Sequence, residues 1–142
     1  MISGQCRCGD VRYTIAAEKL PAAYACHCHQ CQRWTGSAFS LQALVSEDQL
    51  ALTGPVVVYE RTTGDRVSTQ RVCGSCHSRI YNTNTRRPGV AVVRAGTLDR
   101  SEELVCKAHI FVAYRQGWFA IPADAPQWDE MPTPHEFILA LS

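Results

Sequence analysis

The sequence predicts an all-β fold built from short antiparallel strands. Three observations lead to this prediction: β-branched and aromatic residues occur in short runs, Gly-Asp pairs separate several of these runs, and no segment keeps a 3.6-residue apolar period over three helical turns. The length of 142 residues fits one domain of ordinary size. We therefore expect a single domain that covers residues 1–142.

Two Gly-Asp pairs predict two β-hairpins. The first pair, Gly9-Asp10, lies inside "QCRCGDVRYTI" and separates two extended segments. The second pair, Gly64-Asp65, joins "VVVYERTT" to "RVSTQRVC". Both stretches have the turn residues of a hairpin between segments of strand composition.

The remaining segments predict more strands and little helix. "SAFSLQALV" alternates like a strand, and Ser46 could cap a short helical turn in "SEDQL". "CQRWTG" predicts a short helix that ends at Gly36. "RIYNTN", "VAVVRAG" and "HIFVAY" have strand composition. The tail that begins at Ile121 carries four prolines, so we expect an extended segment there.

Charge and hydropathy exclude several functional classes. Fourteen Lys and Arg residues against thirteen Asp and Glu residues leave a formal charge of +1, too small a field to steer nucleic acid or an anionic membrane to the protein. No apolar run approaches the ~20 residues of a spanning helix. The opening "MISGQCRCGD" has no apolar core of a signal peptide. We expect a cytoplasmic protein that binds neither nucleic acid nor membrane.

The cysteines are the unusual feature of the composition. The chain has eight, and seven of them fall into tight groups, while Cys106 stands alone. Disulfides are disfavoured in a reducing cytosol, and disulfide frameworks tend to scatter their cysteines along the chain. The grouping therefore indicates metal binding, with zinc as the metal that clustered thiolates usually hold. The grouped residues are Cys6, Cys8, Cys26, Cys28, Cys31, Cys73 and Cys76.

Spacing alone leaves two ways to group these ligands. In the first, the C-x-C at the first hairpin turn, Cys6-Arg7-Cys8, joins the C-x-x-C of Cys73-Gly74-Ser75-Cys76 in a closed four-thiolate site. The triplet Cys26, Cys28 and Cys31 then binds a second ion from one loop. In the second, Cys28 and Cys31 join Cys73 and Cys76 in a ribbon-like site. The first grouping is more economical because it keeps the triplet together.

Four stretches, in order along nearly the whole chain, resemble one known family. "GQCRCGDVRY", "CHCHQCQRWTGSAF", "VCGSCHSRIY" and "KAHIFVAYRQGWFAIPADAPQWDEMP" are similar to the glutathione-dependent formaldehyde-activating enzymes, the family that also includes centromere protein V. The resemblance implies a β-tent fold with one structural and one catalytic zinc. It implies that Cys6, Cys8, Cys73 and Cys76 hold the structural ion. It implies likewise that Cys26, Cys28 and Cys31 hold the catalytic ion.

Three thiolates suit the chemistry that this resemblance implies. Together with Zn²⁺ they carry a net charge near −1, which gives a soft centre with high affinity for sulfur. A fourth thiol from solution would be bound and deprotonated there, and the thiolate could add to a small aldehyde. The implied reaction is the carbon–sulfur lyase-type interconversion of glutathione and formaldehyde with S-(hydroxymethyl)glutathione. The implied partners are thus a small-molecule thiol and an aldehyde.

Other interpretations of the triplet remain open from the sequence. His27, His29 or Cys106 could supply a fourth ligand and make the triplet a second structural site. The chain would then be a non-catalytic binding module stabilised by structural zinc, for which centromere protein V is a precedent. A thiol redox protein would instead need a metal-free triplet with low pKa values.

A few residues near the cysteines have both a functional and a structural interpretation. Arg33 could meet a glutathione carboxylate, although a solvated surface arginine is the simpler interpretation. Gly36 and Ser37 could let backbone amides approach a substrate, or could merely end a helix. His109 could carry a proton, but we favour a buried structural histidine. We expect Cys106 to fill apolar space rather than bind metal.

Overall fold

The computed structural model describes all residues from Met1 to Ser142, and it is mostly β, as the sequence predicts. It has ten strands and two α-helices. The strands are Ile2–Gln5 (β1), Arg12–Ile15 (β2), Ala23–Cys26 (β3), Ser40–Ser46 (β4), Leu50–Thr53 (β5), Val56–Thr63 (β6), Arg66–Cys73 (β7), Arg79–Asn84 (β8), Val90–Arg94 (β9) and Cys106–Ile110 (β10). The helices are His29–Thr35 (α1) and Pro134–Leu141 (α2). Neither helix is long and apolar enough to span a membrane.

The chain forms two compact units. The first comprises Met1–Pro21 and Ala43–Glu103, and the second comprises Ala22–Gln42 and Leu104–Ser142. The expectation of a single domain and the β-tent fold implied by the resemblance both stay predictions.

The first unit contains both predicted hairpins. The β1 and β2 strands pair antiparallel around the first turn, and β5 pairs with the other edge of β2. The β6 and β7 strands form the second hairpin, in which Gly64 has the positive φ of 61° that this turn requires. The β8 and β9 strands follow β7 in the sheet. The Gly-Asp pairs therefore predicted both turns correctly.

Close approach at Gly54 fixes the turn of the first hairpin. Gly54 follows β5 with a φ of 102°, and a Cβ atom built there would lie 2.0 Å from the backbone oxygen of Asp10. Only glycine fits this contact without moving the backbone. The Val11 N–H, next to Asp10, donates a hydrogen bond to the sulfur of Cys6. Gly54 thus supports the loop that carries Cys6 and Cys8.

The second unit departs from the expected antiparallel pattern in one place. The β3 and β10 strands pair parallel, with Ala25 opposite His109 and Cys26 opposite Ile110. Parallel pairing needs a long connection between the two strands, and here most of the chain lies between them in sequence. The β4 strand neighbours β3 on its other side. This arrangement buries β3 completely, so that its last residue, Cys26, is also buried.

Helix α1 ends at Gly36 as the sequence predicts, but it begins at His29, two residues before the predicted start at Cys31. Cys28 is the N-cap, and its Sγ accepts a hydrogen bond from the Cys31 N–H. Gly36 is the C-cap in the left-handed conformation, with a φ of 63°. The helix therefore starts within the cysteine triplet, and the thiols of Cys28 and Cys31 both lie at its first turn.

The expectation of an extended tail is correct only up to the last helix. Thr133 and Glu136 form a capping box in which each residue binds the other's backbone, and Pro134 occupies the first turn of α2. Phe137 anchors the helix by packing edge-on against Tyr24, with ring centroids 4.7 Å apart. The sequence "TPHE" contains this helix-start signal. The sequence analysis missed it because the four prolines of the tail favoured an extended segment.

Candidate metal centres

The first cysteine group brings together two loops of the first unit. The sulfur atoms of Cys6, Cys8, Cys73 and Cys76 all lie within 4.8 Å of one another. Cys6 and Cys73 are buried, whereas Cys8 is exposed and Cys76 is partly exposed. The two loops are joined by a hydrogen bond from the Arg7 N–H to the Ser78 hydroxyl at 3.1 Å.

The sulfur spacing in this group fits a tetrahedral zinc site. Four sulfur atoms at ~2.3 Å from one ion are about 3.8 Å apart in a tetrahedron. Cys6 and Cys8 have their sulfur atoms 3.5 Å apart, and those of Cys8 and Cys73 are 3.8 Å apart. No disulfide joins any of these cysteines. The group can therefore hold one metal ion, and its donor set is that of a closed zinc site.

Backbone N–H groups point at two of these sulfurs, as in other thiolate-metal loops. Val11 donates to Cys6 at 3.3 Å, and Cys76 donates to Cys73 at 3.5 Å. The hydroxyl of Ser78, followed by its backbone, hydrogen-bonds to Cys76 and lowers the pKa of that thiol to about 5. Hydrogen bonds of this kind favour thiolate, which is the form that binds metal.

The second group is the triplet in the second unit. The sulfur atoms of Cys26, Cys28 and Cys31 also lie within 4.8 Å of one another. Cys26 ends β3, Cys28 caps α1, and Cys31 lies in the first turn of that helix. Cys26 and Cys31 are buried and Cys28 is partly exposed. The side-chain amide of Gln42 donates to Cys31 Sγ at 3.7 Å.

The opposed pKa shifts within the triplet fit a site that could hold a cation. Hydrogen bonds from Cys26 and Cys31 lower the pKa of Cys28 to about 2. Hydrogen bonds to Cys28 and Cys31, and then burial, raise the pKa of Cys26 far above its ordinary value. Without a metal, one thiolate is therefore stabilised at the expense of its neighbours. A divalent ion would remove this conflict, because it favours the thiolate form of all three.

None of the three proposed fourth ligands joins the triplet. The side chains of His27, His29 and Cys106 lie outside the group of mutually close ligand atoms. His27 is fully buried and its Nε2 forms a 2.9 Å hydrogen bond with His109 Nδ1, while His29 packs against Tyr114. Cys106 is exposed, so the expectation that it fills apolar space is wrong; its sulfur lies 3.9 Å from His109 Nε2. The arrangement supports a centre with three protein ligands and one position left for another.

The two buried histidines are neutral at physiological pH. Burial, followed by the nearby His109 and Arg115, lowers the pKa of His27 to about 4. Burial also lowers the pKa of His109. The aromatic rings of Phe39 and Phe119 flank His27 at centroid distances of 5.3 and 5.5 Å. His109 is therefore placed as a structural partner of His27, in agreement with the simpler interpretation of the sequence.

The backbone amides considered for substrate contact are already used inside the protein. The Gly36 N–H donates to the Gln32 carbonyl at 2.8 Å, and the Ser37 N–H donates to the Thr35 hydroxyl at 3.2 Å. Both amides thus serve the end of α1. Arg33 is exposed on the same helix and forms none of the ion pairs in the structure.

A pocket that sequence reasoning missed lies in the second unit. Its volume is about 460 Å³, and its walls come from the segment after β10, including Arg115, Trp118, Phe119 and Asp129. The stretch "YRQGWFAIPADAPQWD" combines aromatic side chains with charges and a glycine, which is the signal that could have indicated a binding loop. Because of its prolines, the part of this stretch from Ile121 onward was interpreted as an extended segment instead.

Metal content should separate the two centres. We expect up to two zinc ions per chain, of which the four-thiolate ion resists mild chelation and the triplet's ion leaves easily. The reason is that three protein ligands provide one fewer bond to break than four. Native mass spectrometry during titration with a chelator would follow both ions. One tightly held ion that survives both Cys6→Ser and Cys8→Ser would contradict this grouping of the ligands.

Comparison with known proteins identifies the family of this chain. A family model described as glutathione-dependent formaldehyde-activating enzyme matches residues 1–114, which include both cysteine groups. A crystal structure of a Rhodobacter sphaeroides protein superposes with a TM-score of 0.56 at 19% identity, covering 73% of this chain and 97% of that one. That likeness concerns the fold alone. No curated protein matches the sequence significantly. By the extent of its match to the family model, the chain belongs to the glutathione-dependent formaldehyde-activating enzyme family.

Proposed function

We propose that this protein is a zinc-dependent carbon–sulfur lyase-type enzyme. Its substrates would be a thiol, glutathione, and a small aldehyde such as formaldehyde, and its product S-(hydroxymethyl)glutathione or a related adduct. The observation that carries the proposal is the triplet of Cys26, Cys28 and Cys31, which has no fourth protein ligand in a chain of this family. A cytoplasmic location belongs to the same proposal, because so many thiols need a reducing compartment.

The two cysteine groups would have different tasks. Four thiolates would hold a structural zinc and tie the first hairpin turn to the end of β7; these are Cys6, Cys8, Cys73 and Cys76. Three thiolates would hold the catalytic zinc; these are Cys26, Cys28 and Cys31. Bound there, zinc would supply affinity for an incoming thiol and lower the pKa of that thiol.

The surrounding residues would orient these ligands. The Cys31 N–H donates to the sulfur of Cys28 and the Gln42 amide donates to the sulfur of Cys31, which limits how freely these ligands rotate. The rings of Phe39 and Phe119 pack against the buried ring of His27, the residue between Cys26 and Cys28. This packing would help to hold in place the chain segment that carries both ligands.

The proposal is tested by the rate of adduct formation. We expect the zinc-loaded protein to accelerate the exchange of free glutathione with S-(hydroxymethyl)glutathione in the presence of formaldehyde, as measured by NMR exchange spectroscopy. Cys28→Ser should return the exchange to its uncatalysed rate because the centre loses one of only three ligands. Cys106→Ser is the matched control and should keep the wild-type rate, since its sulfur lies outside the triplet.

Two results would count against the enzyme. Wild-type protein with full zinc content and no acceleration would favour the binding-module alternative. Equal acceleration by wild type and Cys28→Ser would show that the chemistry, if present, does not use the triplet.

A further inference from the structure

The pocket of about 460 Å³ in the second unit has the size of a small-molecule site. Sites for small ligands usually have volumes of about 300–1,000 Å³. The walls of this pocket are more polar than apolar, which favours a polar or charged ligand. Here Trp118, Phe119 and Ile121 supply apolar wall, while Arg115 and Asp129 supply one charge of each sign. The pocket can therefore recognise a ligand that carries both a negative and a positive group.

The two charges in this pocket are not neutralised inside the protein. The ion pairs of the structure join Arg71 with Glu47, Arg86 with Asp65, and Arg100 with Glu103. Neither Arg115 nor Asp129 takes part in any of them. Both side chains are thus available to pair with charged groups of a ligand.

The aromatic wall is held in place although part of it faces solvent. Trp118 is 74% exposed, yet its indole N–H donates to the Gln116 side chain at 2.6 Å, and its ring packs edge-on against Phe119. Gln116 in turn donates to the side chain of Gln32 on α1. An exposed tryptophan fixed in this way is typical of a surface that contacts a ligand.

The pocket lies beside the thiol triplet. The side chain of Gln116, within the segment that forms the pocket wall, donates to the Gln32 side chain, which is next to Cys31 on α1. Gln32 donates to the backbone carbonyls of both His27 and Tyr114, so it links the start of α1 to the residue that precedes Arg115. These contacts place the pocket segment against the start of α1, the helix that carries Cys28 and Cys31.

We propose that this pocket binds the peptide part of the thiol substrate, with Arg115 pairing with a carboxylate and Asp129 pairing with the free ammonium. This inference rests on the function proposed above. Glutathione is a tripeptide whose thiol is on its central residue, with carboxylates and an ammonium toward its ends. Arg115 can pair with one of its two carboxylates and Asp129 with its ammonium, while its peptide planes can stack on the ring of Trp118.

Binding of three thiols to zinc-loaded protein tests this assignment. Glutathione has all the charged groups, N-acetylglutathione lacks the ammonium, and 2-mercaptoethanol offers the thiol alone. Arg115→Gln and Asp129→Asn should each weaken glutathione binding by about tenfold, the effect of one charge-assisted hydrogen bond at a partly exposed site. Neither should change the affinity for 2-mercaptoethanol. Asp129→Asn should add little to the loss caused by N-acetylation, because both remove the same contact.

Matched controls and the outcomes separate this inference from the proposed function. Arg61→Gln and Asp124→Asn remove the same charges from exposed positions outside the pocket, and should bind glutathione as wild type does. If glutathione and 2-mercaptoethanol both bind wild type but the pocket variants lose less than about twofold, the pocket assignment is overturned and the function stands. Equal losses for both thiols would also overturn it. If neither thiol binds the zinc-loaded wild type, the proposed function fails and the pocket assignment fails with it.

Discussion

Replacing Cys73 with serine should lower the melting temperature sharply, by more than any substitution in the triplet. Cys73 is fully buried at the end of β7, and its sulfur lies 3.8 Å from that of Cys8. Loss of this ligand would open the closed site and leave three thiolates with a weakly held ion. A loss of ~3 kcal/mol would lower the melting temperature by roughly 10 °C in a protein of this size. Calorimetry or circular dichroism on zinc-loaded protein measures this shift.

The double variant shows whether the two loops share one ion. Cys6→Ser should be about as damaging as Cys73→Ser, and the two together should do little more, because either change opens the same site. Cys28→Ser should leave the fold nearly intact, since β3 and α1 keep their packing. Cys106→Ser is the control for removal of a thiol that belongs to neither group. Additive losses from Cys6→Ser and Cys73→Ser, or a Cys28→Ser protein as unstable as Cys73→Ser, would refute the division into structural and catalytic centres.

Local signals in the sequence predicted most of the strands and one helix. The two Gly-Asp turns and the end of α1 at Gly36 depend on backbone conformations that only a few residues adopt easily, so they can be recognised from short motifs. The parallel pairing of β3 with β10 has no such signal. It depends on which distant segments come together, and the composition of two short strands does not determine that.

The candidate site could also be predicted only in part, because local groupings of residues are visible in the sequence and long-range ones are not. The triplet is local, so its three thiols were expected to meet, and they do. The four-cysteine group joins residues that are far apart in sequence, and spacing left open whether Cys73 and Cys76 would meet Cys6 and Cys8 or Cys28 and Cys31. The structure brings Cys73 and Cys76 together with the first pair. That choice follows from the positions of the β1 and β7 strands, not from the cysteine spacing.

The sequence analysis did not predict the pocket, and the mixture of aromatic and charged residues in its walls is only a weak signal. Its walls come from residues of one irregular segment, whose prolines and exposed charges have no periodic pattern to interpret. From the sequence alone, Arg115 and Asp129 are ordinary surface charges. In the structure both line the same cavity. Arg33, for which we considered contact with a carboxylate but preferred a solvated surface position, is exposed on α1 and outside that cavity.

Glutathione should bind far more tightly than S-methylglutathione if the triplet serves to bind a thiol. The two ligands share every charged group, so the pocket around Arg115 treats them alike. They differ only at sulfur, where glutathione can provide a thiolate and its methyl ether only a weak, neutral donor. Comparing them therefore isolates the contribution of Cys26, Cys28 and Cys31 from that of the pocket. Isothermal titration of the zinc-loaded protein gives both affinities.

The same titrations count the proton that the thiol must lose. A free thiol with a pKa of ~8.5 is mostly protonated at neutral pH, so binding as thiolate should release about one proton. Repeating the titration in buffers of different ionisation enthalpy measures that number. His27 and His109, whose pKa values are lowered by burial, stay neutral and should add no proton change of their own. Equal affinity for the two ligands, with no proton released, would mean that the triplet does not engage the sulfur. The triplet would then be a second structural site, and the proposed enzyme would have no centre at which to activate its thiol.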